Sequence, residues 1–598
     1  YNLFTFRFSS AIARISDAAY IAAGVASLGT LILLTLHFGF DTTPETDAKT
    51  RIALRFFQAV FIFNVSFNLI FRFRKTLRDT RWLKWIVDIA VLTTLLPLLY
   101  PHPEHPWIPV LERTLYSNAF MFSAIGAYSV VCLCSAIMKL IGRRTNPSLI
   151  LSGSFLVFII IGSLVLMMPK CTVTPISYTD SLFMATSAVC ITGLSSIDIP
   201  TTLTPAGILV MTVLIQAGGL GIVTFTSFFA IFFSGAPSIY NQLLIKDMIY
   251  SKSMNNLVPT LLYILGFTLA VEVIGAVAVY FTIPDALGLG LSDRLMFAAF
   301  HSMSSFCNAG FSILPDGMAN RTLMTGDQSI YIVTSVMIFA GAIGFPLLLN
   351  FKDKLVNFVR KLFSRADNSA PKVIHLYDLN TKLVFVTTLS ILAVCSAAFF
   401  ILEYDNTLAG MSDYDKAVQS VFNSLTPRSA GFMSVNPANF MPVTLLIVLI
   451  QMWIGGASQS LAGGIKVNTV AAVTLSLRAV ILGHRGATAY NRRLSTGSVR
   501  RAYGVVTLSI IATIIYLTTV MLLEPQLSVK AITFEVISAL FTVGSSLGIT
   551  ADLSDASKIV LATAMFLGRV GILSLIMGFA GMSVDKSSHY PTENIIIN

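Results

Sequence analysis

After residue 147 the chain repeats one order of segments four times: an apolar run, a short amphipathic segment, a turn that contains glycine, and a second apolar run. The four turns read SAVCITGLSS, SSFCNAGFSI, LTPRSAGFMS and SALFTVGSSL, which align Gly193, Gly310, Gly431 and Gly544. Amphipathic segments such as YTDSLFMATSAV are too short to cross a bilayer, because a spanning helix needs about 20 apolar residues. The pattern therefore predicts four re-entrant helices, each between two spanning helices.

The composition indicates a membrane protein. Of the 598 residues, 55% are hydrophobic and 12% are charged, whereas a soluble domain has about 25% charged residues. Basic residues of membrane proteins collect on the cytoplasmic side, so the net charge of +11 does not indicate a nucleic-acid partner. The six cysteines are scattered without metal-ligand spacing, and neither a metal cluster nor disulfides are expected.

The apolar runs predict a complete topology. Candidate spans of the N-terminal block lie at 15–39, 53–72, 82–100 and 116–141. The first helices of the repeats are expected at 149–168, 258–282, 379–402 and 503–523, and the second helices at 203–234, 328–351, 439–475 and 557–582. Basic stretches such as RFRKTLRDTRWLK and IGRRTN mark cytoplasmic loops. The predicted fold class is an all-α polytopic membrane protein whose turns face outward and whose termini are both cytoplasmic.

Five units follow from this layout. Residues 1–147 form a four-helix N-terminal membrane domain, and the four repeats occupy 148–245, 246–375, 376–502 and 503–598. The third repeat contains GGASQSLAGGIK, whose small residues predict a break inside its second helix. Small residues also suit a close helix crossing, so an unbroken, glycine-packed helix stays open as an alternative.

The four turns have a plausible use in a membrane. Non-helical backbone at membrane depth is tolerated only where protein or a water-filled path satisfies it. Four such turns on one axis could offer backbone carbonyls to a dehydrated cation, and the negative C-terminal end of each short helix would favour that cation. Ordinary loops with turn glycines are the simpler interpretation for one turn, but four turns in register favour an ion-selectivity filter around one central pore.

The candidate filter residues are the four that end at each aligned glycine. They are Cys190, Ile191, Thr192 and Gly193; Cys307, Asn308, Ala309 and Gly310; Arg428, Ser429, Ala430 and Gly431; and Phe541, Thr542, Val543 and Gly544. Their side chains are mostly small because, in this hypothesis, the backbone binds the ion.

Seven stretches together carry a family resemblance: TSAVCITGL, FHSMSSFCNAGF, PRSAGF, FTVGSSLGIT, GGASQSLAGGIKVNT, FLGRVG and the terminal YPTENIII. The chain over residues 148–598 resembles the Trk/Ktr/HKT superfamily of potassium-uptake proteins, and most closely the bacterial Trk/Ktr membrane subunits. The resemblance implies a pseudo-fourfold pore in one chain that transports K⁺, and homodimers with one pore per protomer. It also implies a separate cytosolic ring of nucleotide-binding regulator-of-conductance subunits. Glycine at all four filter positions is the family's potassium pattern.

The resemblance also implies an intramembrane gating loop below the filter and a pore arginine, Arg569, that contacts it. The gate residues are then Gly455, Gly456, Ala457, Ser458, Gln459, Ser460, Leu461, Ala462, Gly463, Gly464 and Lys466, together with Arg569. The usual family run has Gly-Ser-Thr-Gly where this chain has Gln-Ser-Leu-Ala, which predicts a stiffer and more apolar loop. An intramembrane charge indicates function by default, although Arg569 could instead form a structural pair with a helix C-terminus.

Four other residues carry weaker hypotheses. Arg428 resembles a family arginine and is expected to form a salt bridge behind the filter, for example with a nearby carboxylate. Glu272 and Asp88 lie within predicted spans, where a hydrogen-bonded packing role is favoured over an ion-coupling role. His301 is expected to be a packing residue and not a ligand.

The N-terminal block resembles a voltage sensor in its layout, and WLKWIVDIAVLTTLLPLLY is similar to a third sensor helix. The fourth helix of a sensor would carry arginines at every third position, since sensing requires several charges that move through the field. Here only Arg113 lies near its start. We expect a sensor-like scaffold without strong voltage sensing, and a simple packing or dimer-supporting bundle is equally compatible.

The first functional hypothesis is potassium uptake across the bacterial inner membrane, with membrane lipid, a second copy and the cytosolic ring as partners and no organic cofactor. A sodium- or proton-coupled symporter, or a less selective potassium/sodium channel, is the alternative. A membrane-embedded enzyme is a third class, but the chain has no HExxH or Walker motif, and its match to GxSxG, GSSLG at residues 544–548, belongs to the fourth turn and does not follow a predicted strand as a nucleophile elbow would.

Overall fold

The computed structural model describes residues 9–41, 43–73, 82–100, 113–141, 147–221, 257–344, 347–348, 379–484 and 486–580. Several features expected from the sequence lie outside these residues: the basic stretches within 74–81, 142–146, 222–256 and 349–378, and the terminal YPTENIII motif.

The N-terminal block consists of four longer helices: α1 Ser9–Gly39, α2 Pro44–Phe71, α3 Trp82–Thr93 and α4 Asn118–Ile141. Helix α1 packs against α2 and α4, and α3 packs against the same two helices. Helix α2 begins where Thr43 accepts the N–H of Thr46 and Pro44 fixes the first turn. The expected span at 82–100 is wrong as one helix, because α3 ends at a turn after Thr93 and is followed by the separate short helix Leu96–Leu99.

Polar side chains link the helices of this block internally. The Oγ of Ser16 accepts from Nη1 of Arg72 at 2.9 Å and donates to Oδ1 of Asn68 at 2.8 Å. Nδ2 of Asn64 donates to the hydroxyl of Tyr128 at 2.9 Å, which ties α2 to α4. Buried hydrogen bonds of this kind fix how helices sit against one another.

The remaining helices follow the order long helix, short helix, helix four times. Repeat one has α5 Pro147–Leu166, α6 Tyr178–Val189 and α7 Pro205–Leu220; repeat two has α8 Leu257–Thr282, α9 Leu291–Phe306 and α10 Ser329–Ala342. Repeat three has α11 Leu379–Glu403, α12 Asp413–Leu425, α13 Pro442–Trp453 and α14 Val467–Ile481; repeat four has α15 Thr496–Leu523, α16 Val529–Leu540, α17 Asp555–Val570 and α18 Ile572–Ala580. The connections hold single-turn helices at Ile199–Thr202, Asp285–Leu287, Gly317–Ala319, Arg321–Thr325 and Pro437–Asn439, and the hairpin of β1 Thr488–Ala489 and β2 Arg492–Arg493.

Six helices of the described residues are long and apolar enough to cross a membrane, or seven if α17 and α18 count as one span bent by 84°. The protein is therefore an all-α, multi-span membrane protein, as expected. The four short helices of the repeats, α6, α9, α12 and α16, do not span a membrane, because each has at most 16 residues.

The second helices of repeats one, two and four were expected to be continuous, and this is wrong. Helix α7 ends at Gly221 with φ 78°, α10 stops before Gly344 with φ 90°, and α17 stops at Gly571 with φ 90°. A positive φ is favourable for glycine and incompatible with a continuing helix. The motifs GGLG, GAIG and GRVG thus end the helices inside runs that remain apolar.

The described helices of the repeats pack in a closed cycle. Each short helix contacts the second helix of the repeat before it: α9 contacts α7, α12 contacts α10, α16 contacts α13, and α6 contacts α17. An ion pair of 2.8 Å between Lys558 and Asp180 joins the fourth repeat to the first. Nε2 of Gln419 donates to Oε1 of Gln328 at 2.7 Å between repeats three and two. This cycle brings the four turns together.

Two buried carboxylates, which the sequence analysis did not single out, accept N–H groups at the beginnings of two second helices. Oε1 of Glu403 accepts the N–H of Met441 at 2.9 Å, just before α13. Oε1 of Glu524 accepts the N–H of Ser554 at 2.8 Å, just before α17. A carboxylate at a helix N-terminus satisfies an N–H group that lacks a partner within the helix.

Candidate functional site

The four aligned glycines are neighbours in the structure. A Cβ atom added to any one of them would lie within 2.6 Å of a carbonyl oxygen in the next turn. The carbonyls belong to Ala309 for Gly193, Ala430 for Gly310, Val543 for Gly431 and Thr192 for Gly544. The last contact returns to the first turn, so the contacts close into a cycle of four. No side chain fits at these positions without displacing backbone.

The four turns also share one backbone path. The glycine of each turn has a positive φ, and so does the residue two positions earlier. The values are 55° at Ile191, 58° at Asn308, 77° at Ser429 and 49° at Thr542. A positive φ is rare outside glycine and is a real outlier for a β-branched residue such as Ile191. Strain repeated at four equivalent positions is typical of a functional site.

Backbone hydrogen bonds tie each turn to the end of its own short helix. The N–H before each glycine donates to a helix carbonyl: Thr192 to Ser187 at 2.8 Å, Ala309 to Ser304 at 2.7 Å, Ala430 to Thr426 at 2.9 Å and Val543 to Ser538 at 2.8 Å. The hydroxyls of Ser187 and Ser538 also accept the N–H groups of Gly193 and Gly544. Since protein groups accept these N–H donors, the turn carbonyls are what the turns can offer to a cation.

The second helix of repeat three is broken, and residues 454–466 cross the gap as a loop. Ile454 and Ile465 form a parallel bridge, in which the N–H of Gly455 donates to the carbonyl of Ile465 at 2.9 Å. The loop is attached to α10, since Ala457 and Leu461 donate their N–H groups to carbonyls of that helix at 3.0 and 3.2 Å. An unbroken glycine-packed helix, the alternative, is therefore wrong.

All expected gate residues lie on this loop or contact it. The buried ones are Gly455, Gly456, Ala457, Leu461, Ala462 and Gly463, and the partly buried ones are Ser458, Gln459, Ser460, Gly464 and Lys466.

Two basic side chains bind carbonyl oxygens of this loop. Nη1 of Arg569, in the last turn of α17, donates to the carbonyl of Leu461 at 2.6 Å, and its Nη2 donates to the carbonyl of Gly218 at 2.9 Å. Nζ of Lys466 donates to the carbonyls of Ala462 and Gly463. The loop is thus held by positive charge directly beside the turns.

The salt bridge expected for Arg428 is wrong. The side chain is 3% exposed, and among the described residues no carboxylate lies within ion-pair distance of it. Its Nη2 donates instead to the carbonyl of Gly455 at 3.3 Å. The broken helix exposes carbonyl oxygens that a continuous helix would have used, and one of them replaces the carboxylate.

Ser429 makes a pair of contacts that the sequence did not indicate. Its Oγ donates to the carbonyl of Thr542 in the fourth turn at 2.8 Å, and it accepts the N–H of Gly463 in the loop at 2.6 Å. Thr542 also has a hydroxyl two residues before its glycine, so residue type alone could not identify Ser429. Three elements meet at this one side chain.

The three weaker candidates His301, Glu272 and Asp88 contact protein groups, and their favoured packing roles stay predictions. Nε2 of His301 lies 2.9 Å from the hydroxyl of Thr334, and its ring stacks on Phe297. Glu272 accepts from Nε2 of Gln216 at 3.3 Å. Asp88 is 5% exposed, with Nζ of Lys84 4.0 Å away.

No other chemistry is evident in the part of the chain that the structure describes. Its six cysteines are free, and it has no group of three or more His, Cys, Asp or Glu side chains that could hold a metal ion. Arg113, the arginine near the start of the fourth helix of the N-terminal block, is exposed.

Spanning helices, four strained turns in a closed cycle and a helix broken beside them define a membrane transport protein for ions, and not an enzyme. Residues 143–590 match the family TrkH, described as cation transport protein. Because the match covers most of the chain, the chain belongs to this family, and the resemblance seen in the sequence is confirmed.

Two relatives and one solved structure are similar to this chain over most of its length. Ktr system potassium uptake protein B of Bacillus subtilis is 31% identical over 450 residues, which are 75% of this chain and 96% of the relative. Potassium/sodium uptake protein NtpJ of Enterococcus hirae is 30% identical over 471 residues, which are 77% of this chain and 99% of the relative. The crystal structure of the potassium transporter TrkH from Vibrio parahaemolyticus matches with a TM-score of 0.58 at 19% identity, over 83% of this chain and 96% of that one. The last match shows a shared fold.

Proposed function

We propose that this chain takes up potassium across the bacterial inner membrane through a pore lined by residues 190–193, 307–310, 428–431 and 541–544. The observation that carries the proposal is the closed cycle of glycines, each of which approaches a carbonyl of the next turn. Carbonyl oxygens on one axis can replace the water around a cation. Both relatives are named as potassium uptake proteins, one of them also for sodium.

The membrane potential supplies a driving force in this proposal. An inward-negative potential contributes about 2.3 kcal/mol per elementary charge per 100 mV. The negative C-terminal ends of α6, α9, α12 and α16 precede the turns directly and favour a cation there. Potassium would enter from the outer side, lose water at the turns and continue toward the cytoplasm.

The loop at residues 455–466 and Arg569 form the proposed gate. Arg569 places a positive charge beside the turns, which repels a second cation. It also binds the loop through the carbonyl of Leu461. Passage of potassium then requires the loop to move, and the loop interactions with Arg569 and Lys466 oppose that movement.

A coupled symporter is the second candidate. One described carboxylate next to a turn is Glu272, whose Oε1 lies 3.9 Å from the Sγ of Cys307. Its hydrogen bond with Gln216 supports packing more than ion coupling. A pore that also passes sodium is a further variant, which the name of the Enterococcus relative supports.

The partners are part of the same proposal. The relative from Bacillus subtilis is named as protein B of a Ktr system, which supports a separate cytosolic regulator-of-conductance ring. We also infer a homodimer in membrane lipid, cytoplasmic termini, and the five units with boundaries at 147, 245, 375 and 502. The N-terminal block supports the pore as a scaffold without strong voltage sensing, since its fourth helix has Arg113 near its start and no ladder of arginines along its length.

Rubidium uptake tests the proposal in a host that lacks its own potassium uptake systems. Gly310→Ser should lower selectivity for potassium over sodium, because the added side chain meets the carbonyl of Ala430. Gly266→Ser is the matched control in the same repeat, since a Cβ there meets nothing within 4 Å. Equal selectivity in all three proteins would remove the second turn from the conduction path.

A further inference from the structure

The Oγ of Ser429 joins the loop to the fourth turn through two hydrogen bonds. It accepts from the N–H of Gly463 at 2.6 Å and donates to the carbonyl of Thr542 at 2.8 Å. Ser429 is fully buried, so water does not compete for either bond. A net hydrogen bond stabilises by about 1 kcal/mol, and it is electrostatically stronger when buried.

No equivalent side chain makes this bridge in the other turns. Ile191 has no polar side-chain atom. The amide of Asn308 fits donation to Ser305 and Ile338 carbonyls, within its own repeat. The hydroxyl of Thr542 is buried and has no hydrogen-bond partner among the described residues. The bridge is therefore specific to the turn of the repeat that carries the loop.

The loop reaches the bridge because residue 463 is glycine. A Cβ there would overlap the hydroxyl of Thr542 and lie 3.1 Å from the carbonyl of Phe541. The loop backbone is thus in direct contact with the fourth turn, and any larger residue would displace the loop.

We propose that Ser429 is a positioning residue that couples the loop to ion occupancy of the turns. The inference rests on the proposed function, in which the carbonyl of Thr542 belongs to the ion path. A seated loop polarises the hydroxyl of Ser429, because hydrogen bonds in a chain strengthen one another. The hydroxyl then draws electron density from the carbonyl of Thr542 and makes it a poorer ligand for a cation.

The coupling acts in both directions. A cation at the carbonyl of Thr542 repels the hydroxyl hydrogen of Ser429 and weakens the bond that holds the loop. Reciprocity of linked equilibria then requires that potassium loosens the loop by the same factor by which the seated loop weakens potassium binding. External potassium would thus favour its own passage.

The test measures hydrogen–deuterium exchange of loop peptides from residues 455–466 in lipid nanodiscs, with potassium replacing sodium at constant ionic strength. In the wild type, potassium should raise loop exchange at least about fivefold, the low end of typical couplings. In Ser429→Ala, exchange should be high in sodium alone and insensitive to potassium. Ser429→Thr keeps a hydroxyl and should restore the response.

Ser424→Ala is the matched control. Ser424 is a buried serine at the end of α12 whose hydroxyl has no partner among the described residues, so its loss should leave the potassium response intact. Potassium-independent exchange in the wild type, or a full response in Ser429→Ala, would overturn the coupling.

Rubidium uptake by the same proteins separates this inference from the function on which it rests. Normal, potassium-selective uptake together with potassium-insensitive loop exchange would refute the coupling and leave the proposed function standing. Absence of rubidium uptake in the wild type would refute both.

Discussion

The third turn differs from the other three in how the protein holds it. Turns one, two and four have a serine six residues before the glycine, at Ser187, Ser304 and Ser538. The third has Leu425 there, and the carbonyl of Thr426 accepts N–H groups from both Ala430 and Gly431. Its side chains bind outside the turn instead, where Arg428 and Ser429 reach the loop.

The second helices divide in the same way. Those of repeats one, two and four end or bend at a single glycine, whereas that of repeat three opens into a loop. All four turns are bonded to the ends of their own short helices, and the side chains of the third turn also bind a segment that lacks helical hydrogen bonds. The comparison teaches that the symmetric contacts join the four turns into a ring, while the asymmetric contacts attach the third turn to the loop, which is the proposed gate.

The largest expected effect comes from adding a side chain to the glycine of one of the three similar turns. Gly544→Ala forces a residue with φ 100° to carry a Cβ that overlaps the carbonyl of Thr192. Strain of this kind costs about 1–3 kcal/mol, and we expect rubidium uptake to fall about 10- to 100-fold. Gly504→Ala in α15, where a Cβ meets nothing within 4 Å, should transport normally. Full uptake by Gly544→Ala would show that the glycine cycle is not the conduction path.

The next effect concerns the asymmetric part. Arg569→Gln removes the charge that binds the carbonyls of Leu461 and Gly218. Since a hydrogen bond from a charged group stabilises by about 1 kcal/mol more than a neutral one, the loop should leave its place more often and basal rubidium uptake should rise about five- to tenfold. Arg569→Lys keeps the charge but loses the geometry that binds two carbonyls. Its basal rubidium uptake should lie between those of the wild type and Arg569→Gln. Reduced uptake with unchanged loop exchange would contradict a gating role.

A smaller effect should show that a serine side chain supports the fourth turn and not the third. Ser538→Ala removes the hydroxyl that accepts the N–H of Gly544 at 3.0 Å, which costs about 1 kcal/mol. We expect selectivity for potassium over sodium to fall about fivefold, measured by sodium competition against rubidium uptake. Ser424→Ala, at the end of the short helix that precedes the third turn, should leave selectivity unchanged. The contrast between the turns would be wrong if both substitutions had equal effects.

The smallest expected effect concerns the ion pair of Asp180 with Lys558, which joins the first and fourth repeats. Burial raises the pKa of Asp180, but hydrogen bonds from Lys558, Ser177 and Ser196 together hold this pKa below its usual range. Because the folded-state pKa lies below the unfolded value of about 3.9, the carboxylate stabilises the fold above that value. This stabilisation is lost as the pH falls through the folded pKa.

Thermal unfolding in detergent checks this ion pair. Asp180→Asn should lower the Tm by about 1–2 °C near pH 7, and the difference from the wild type should vanish in acid. Asp198→Asn, at an exposed carboxylate that accepts from the nearby Thr201 hydroxyl, is the control and should change the Tm less. A deficit of Asp180→Asn that persists unchanged in acid would argue against the ion pair.

Much of the fold could be predicted because its signals are local. Three of the four short helices begin at serine caps, Ser177, Ser412 and Ser528, and all four end where the predicted turns begin. Hydrophobic length identified most spans. The helix ends at Gly221, Gly344 and Gly571 were missed because a lone glycine in an apolar run is also tolerated inside a helix.

The contacts of the candidate site were harder to predict, because they join distant parts of the chain. The partner of Arg428 is a backbone carbonyl that is free to accept a hydrogen bond only because α13 ends before it. The residue types do not indicate such a partner. Ser429 and Gly463 are 34 positions apart, and Thr542 is 113 positions from Ser429. Pairings of that kind follow from tertiary packing.

The cycle of glycines belongs to one polypeptide, and this affects how such a pore can change over generations. In an assembly of four identical subunits, one codon alters every quarter of the ring at once. Here one codon alters one quarter and leaves three as they were. If the ring is the proposed filter, its selectivity can be adjusted in small inherited steps, and one turn can take on a separate duty while the others keep the ring intact.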